Sequence, residues 1–214
     1  MTDPIDCIER YLDGADMLDL PGAVLYSSVE TVKPGPVYLM GLNPGGEGEW
    51  SLRDNLLSAR QGKNAYLDEE WENRRGRYAL GMAPLQLRVA AVCERLGIPV
   101  RDVPASNLVF TRSRDLGAHE GFQAAISLCA PVHTMLLQTI QPKLLFTFGS
   151  IDWIKKAADS LDYESKKARH GSWNAHRGRI KIFGQDMQFV NVPHMSYWHS
   201  ITRTDVVDWA IGKS

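Results

Sequence analysis

Two asparagines, two histidines and a serine stand where apolar runs of this chain break into polar loops. The run PVYLMGL opens into Gly41-Leu42-Asn43-Pro44-Gly45-Gly46, Asn107 lies in ASNLVFT, and MQFVNV leads into Pro193-His194-Met195-Ser196, with His199 close behind. A carboxamide supplies both a donor and an acceptor. Ser196 reads as a loop-stabilising hydroxyl, because no histidine-carboxylate pairing stands at local spacing to activate it. Alternatives stay open at each position. Asn-Pro-Gly is also a strong turn signal, Asn107 either caps the turn after its strand or reads a ligand, and His194 and His199 are rivals.

The elements that must position these residues alternate between strand and helix. PVYLMGL is continuously apolar, as in a parallel strand covered on both faces. ASNLVFT, LLFTFGS and MQFVNVPHMSYW supply three further strands. Asp3 caps a first helix with Pro4 at its first position. Leu85, Val89, Val92 and Leu96 fall at helical spacing before Gly97. Pro131 opens a helix that Pro142 ends, IDWIKKAADSL forms a crossover helix, and TRTDVVDWAIG closes the chain as a helix. The long polar stretch from Ser51 to Ala83 reads as an irregular excursion with some helix in it. This alternation predicts a doubly wound, mostly parallel sheet, whose ligand sits outside the carboxyl ends of the strands. Four polar loops then converge there: Gly41 to Gly46, the Asn107 region, Gly149-Ser150, and Pro193 to Ser200.

Composition narrows the class. The 214 residues, 44% hydrophobic and 23% charged, fit one domain over residues 1–214. A net charge of -1 leaves any nucleic-acid contact to a local patch. Three widely spaced cysteines argue against a disulfide framework or a CxxC metal site and point to a reducing cytoplasm. No stretch has the length and apolarity of a membrane span.

The succession of loops resembles the uracil-DNA glycosylase superfamily, in the branch with the mismatch-specific and single-strand-selective enzymes. Its first motif, Gly-x-Asn-Pro-Gly, matches Gly41-Leu42-Asn43-Pro44-Gly45. His-Pro-Ser is approximated by His194-Met195-Ser196, and CAPVHTMLLQTIQPKLLFTFGS looks like the segment between them. The resemblance covers roughly residues 35 to 200. It implies a three-layer α/β/α domain around a central, mostly parallel four-stranded sheet, and a monofunctional enzyme that hydrolyses the N-glycosidic bond of uracil or a related damaged base in DNA. Asn43 would hold the attacking water, His194 and a backbone N–H near Leu42 would face the departing base, and Asn107 would read its Watson-Crick edge. Gly41, Leu42, Pro44, Gly45 and Ser196 would line the base pocket. The resemblance implies neither metal nor organic cofactor, and a monomer acting on damaged DNA. A protein that binds a base on the same fold without cleaving it is the alternative.

This chain departs from the family at two places. Leu56 and Leu57 stand where a stacking phenylalanine is usual, leaving Trp50 and Tyr66 as candidate stackers. Met195 and Tyr197 stand where prolines are common, which predicts a less constrained loop. The run KKARHGSWNAHRGRIK carries Lys166, Lys167, Arg169, Arg177 and Arg179 and no acid. It reads either as a phosphate-tracking surface or as a solvated face. Arg74, Arg75 and Arg77 form a second basic cluster.

Overall fold

Asp3 accepts a hydrogen bond from the Ile5 N–H and so caps α1 (Pro4–Gly14), with Pro4 where a missing N–H does no harm. A computed structural model describes this chain over residues 3–46, 48–73, 76–113 and 121–213. The run of entirely buried residues becomes β1 (Val37–Gly41). The excursion folds into α2 (Leu52–Arg60), which Ser51 and Asp54 cap reciprocally, then α3 (Ala65–Asp68) and the short antiparallel pair β2 (Glu72–Asn73) and β3 (Gly76–Arg77). Helix α4 (Pro84–Leu96) ends at Gly97, and β4 (Ala105–Asn107) follows. Next come α5 (Phe122–Ile140), β5 (Leu144–Phe148) and α6 (Ile151–Ala157). The strands β6 (Ala158–Lys167), β7 (Asn174–Ile182) and β8 (Gln185–Val192) precede the closing α7 (Thr204–Ala210).

The fold is α/β, but its sheet is larger than the sequence predicts. Six strands lie in the order β4-β1-β5-β8-β7-β6. The first four pair in parallel, and β7 and β6 add an antiparallel hairpin to β8. The expectation of a four-stranded sheet misses this hairpin because β6 carries a weak apolar signal. It is an edge strand with exposed or half-buried side chains, and the charges of DSLDYESKK keep its free edge from pairing further. The predicted crossover helix therefore stops at Ala157.

Two other boundaries differ. Helix α5 starts at Phe122 and runs through Pro131 rather than opening there. Its buried stripe of Phe122, Ile126, Cys129, Val132, Leu136 and Ile140 outweighs the hydrogen bond that proline removes. Strand β4 stops at Asn107, level with the end of β1, and Leu108, Val109 and Phe110 continue as buried chain.

Helices cover both faces of the sheet. Tyr38, Met40, Leu145 and Phe189 pack with α1, α2, α5 and α6, while Val37, Leu39, Phe146, Val190 and Val192 pack with α4 and α7. Cys93 and Cys129 are buried in these two cores and all three cysteines are unpaired. No helix among the described residues is long and apolar enough to cross a membrane.

Candidate functional site

Where β1 and β4 end, their chains leave the sheet together. The carbonyls of Gly41 and Leu42 accept from the N–H groups of Leu108 and Val109 at 3.0 and 2.9 Å. Pro44 accepts from Ser113 N–H at 3.1 Å, and the Arg112 guanidinium donates to the Gly45 carbonyl. This lacing fixes the conformation of a loop that glycine and proline alone would leave loose. Within it, Asn43 Nδ2 donates to the Pro44 carbonyl at 3.0 Å and lies 3.4 Å from both the carbonyl and the hydroxyl of Ser113. Carbonyls only accept, so the amide nitrogen must face them and Oδ1 turns the other way. Among the described residues nothing donates to that oxygen.

The loop after β8 is held by different means. Met195 and Trp198 are fully buried, and the Trp198 indole donates to the Ala168 carbonyl at 2.8 Å. Arg88 of α4, itself buried, donates to the Met195 carbonyl. The loop is therefore well anchored although it lacks the prolines, since apolar side chains and a buried guanidinium do the constraining. Between these anchors, the Ser196 N–H donates to His194 Nδ1 at 3.2 Å. An accepting Nδ1 places the proton of the neutral ring on Nε2. Desolvation pushes the His194 pKa down to about 4, so the imidazole is neutral near pH 7.

Gly149 joins the two loops. Its φ is +119°, and a methyl group there would stand 2.7 Å from Leu42 Cδ1 and 3.7 Å from His194 Cδ2. Leu42, Gly149 and His194 thus meet beyond the carboxyl ends of β1, β5 and β8, with the Phe148 ring 5.8 Å from the imidazole and edge-on to it. Gly41 makes room for Asn107: a Cβ at that position would run into Asn107 Oδ1 and come 3.3 Å from the Phe148 ring.

Asn107 is 5% exposed, and among the described residues its Nδ2 makes no hydrogen bond of normal geometry. A buried donor without a partner of normal geometry is destabilising. Tyr26 is its polar neighbour. Burial raises the Tyr26 phenol to about 12, against the pull of the Arg112 charge and of the Asn107 amide. Arg112 Nε is a second buried donor with no partner among the described residues. Sequence reasoning missed Tyr26, Arg112 and Arg88 alike. Tyr26 precedes β1 outside any motif, and nothing local marks Arg112 or Arg88 as reaching other loops.

Other expected residues fall elsewhere. Tyr66 is a core residue, 3% exposed, with its ring 5.6 Å from Tyr26 and 5.9 Å from Trp71. Its place in an aromatic cluster leaves no free face for stacking, whereas Trp50 is 54% exposed. Ser196 is exposed, with its backbone rather than its hydroxyl bonded to His194. Both ring nitrogens of His199 lie 3.2 Å from the Arg88 guanidinium, on the outer side of the same loop.

The basic run does not form one surface. Lys166 and Lys167 end β6 and Arg169 lies in the following turn, but Arg177 and Arg179 sit opposite Val190 and Gln188, progressively farther from the site. Alternation along a strand and a rise of about 3.4 Å per residue spread such a run over both faces and much of the sheet. Arg169, Arg177 and Arg179 form ion pairs with Asp205, Glu164 and Asp186 at 3.0, 2.6 and 2.5 Å. Arg177 also lies over the Trp209 ring, and Lys166 approaches that ring at 5.9 Å. Arg77 pairs with Glu70 at 2.6 Å, while Arg74 and Arg75 lie outside the described residues. Among those residues, no cluster of three or more His, Cys, Asp or Glu side chains could hold a metal ion. No family model matches this chain, and no curated protein matches it.

Proposed function

We propose that this protein is a DNA glycosylase that hydrolyses the N-glycosidic bond of uracil or a related damaged base. One observation carries the reading: a neutral His194 with its proton on Nε2 stands across Gly149 from the loop that presents the Asn43 amide oxygen. Cleavage of the bond leaves negative charge on the base and positive charge on the sugar. A fixed Nε2–H stabilises the first, and each such preorganised donor contributes roughly 2.7 to 4 kcal/mol. Neutrality suits this role, because a donor that keeps its proton throughout needs no change of charge at the moment of bond breaking.

Asn43 Oδ1 accepts a hydrogen bond from water and aims it at the sugar carbon; as the C–O bond forms, the proton that the amide cannot take passes through solvent to the departing base anion. The buried Asn107 Nδ2, on a carboxamide that the bare Gly41 leaves room for, donates to an oxygen of the extruded base. In this reading β4, β1, β5 and β8 form the parallel sheet of a uracil-DNA glycosylase-like α/β/α domain, and β6–β7 is an addition to it. The reaction needs only water and protein groups, and the chain acts on DNA as a monomer in the cytoplasm.

The test is a panel of single- and double-stranded oligonucleotides carrying uracil, mispaired uracil, hypoxanthine or xanthine. Alkali-labile abasic sites at one of these bases support the reading. Retention of a labelled strand with no abasic sites would instead identify a base-binding protein on the same scaffold.

A further inference from the structure

We infer that the turn between β6 and β7 is a rim that stacks unpaired nucleotides of a DNA strand beside the site, with Trp173 as its platform. The inference rests on the glycosylase reading for its location and on separate observations for its chemistry. Lys167 pairs with Asn174 and His176 with Asn191, so the turn, residues 168–173, stands past the end of β8, on the side of the sheet that carries His194. It is strapped to the His194 loop. The Ala168 carbonyl accepts from the Trp198 indole at 2.8 Å, and the Ala168 N–H donates to the Trp173 carbonyl at 2.9 Å. Arg203 donates from Nε to the Arg169 carbonyl at 3.1 Å and lies 3.4 Å from the His199 carbonyl. A strand held on the turn would thus lead directly to the base site.

The turn is a built surface. Trp173 N–H donates to the His170 carbonyl at 3.1 Å, and the two rings stand 4.7 Å apart. Trp173 nevertheless remains 40% exposed, and Tyr197 on the strapped loop is 67% exposed. Large aromatics so exposed on two joined loops suit nucleobases, whose faces stack on aromatic rings irrespective of sequence. Charge selects the same partner. The segment Lys166 to Trp173 contains Lys166, Lys167 and Arg169 and no acid, and the exposed Arg169–Asp205 pair is of a kind that a phosphate readily displaces. A duplex hides its base faces within the stack, so the rim favours single strands.

Fluorescence anisotropy with a labelled, undamaged dT12 strand, and with the same strand annealed to dA12, tests this without any excision step. Trp173→Ala should weaken dT12 binding roughly 5- to 150-fold, as expected for loss of one stacked base. Trp173→Phe should recover most of that loss, and duplex affinity should be nearly unaffected by either change. Equal dT12 affinity in the parent and Trp173→Ala, equal losses on strand and duplex, or a parent that does not bind dT12 would each overturn the rim. Abasic-site formation across the damaged-base panel judges the glycosylase reading separately, so the two can fail independently.

Discussion

Gly41 ends β1 directly beneath the carboxamide of Asn107, so close that the two positions cannot both carry a side chain in their present geometry. Gly41→Ala should therefore force the buried amide aside, destabilising the fold by about 1 to 3 kcal/mol in urea unfolding. Adding Asn107→Gly should recover much of that loss, because the clash and its relief belong to one pair. Additive losses in the double variant would show that the two residues are not coupled.

Asn43 has its nitrogen held by Pro44 and Ser113, which turns its oxygen away from them. Asn43→Ala should leave DNA affinity nearly intact and slow single-turnover base release about 100-fold, since water positioning acts in the chemical step. Lost binding with an unchanged rate would make Asn43 a substrate ligand instead.

Acid stability should depend on buried histidines, His133 and His194 foremost. Burial lowers the pKa of both His133 and His194 from 6.5 to about 4. Between these values the unfolded chain binds the protons that the folded chain refuses, so stability is full above about pH 6.5 and declines as pH falls toward 4. For His133, which is fully buried, the contribution is roughly 3 kcal/mol. Denaturant unfolding from pH 7 to 4 should show the decline, and His133→Gln should flatten it. Nitrogen NMR of His194 should show the Nε2–H tautomer throughout pH 5.5 to 8.

Arg88 steadies the His194 loop by holding the Met195 carbonyl from α4. Arg88→Met should lower stability by about 1.5 to 3 kcal/mol and blur the His194 tautomer, as the hydrogen bond from Ser196 loosens. A sharp Nε2–H signal in this variant would confine Arg88 to a structural role.

Salt dependence separates the basic residues by place. Replacing Lys167 should reduce the log-log salt slope of DNA binding by about 0.7 to 0.9 if it meets a phosphate. Arg179→Ala should leave the slope unchanged, because this residue lies opposite Gln188 and pairs with Asp186. A reduced slope for Arg179→Ala would extend the DNA surface along the hairpin.

The sequence by itself determined the elements that are specified locally. An Asp3-Pro4 cap, the helical spacing of Leu85 to Leu96 before Gly97, and the uniformly apolar runs of β1 and β5 are readable because each depends on neighbours within a turn or a strand. From alternation alone, the loops bearing Asn43, Asn107 and His194 were expected at one sheet edge. Long-range packing decided the rest. Edge strand β6 shows little apolar contrast because solvent, not core, receives most of its side chains. Tyr66 lies in the core because Tyr26 and Trp71, distant in sequence, surround it. The basic run became a hairpin along which Arg177 and Arg179 lie progressively farther from the His194 edge and pair with Glu164 and Asp186. The Asn107 amide was likewise settled only by tertiary contact, since its surroundings come from other segments, whereas the His194 tautomer rests on the Ser196 N–H of its own loop, which contacts from Arg88 and Ala168 hold in place.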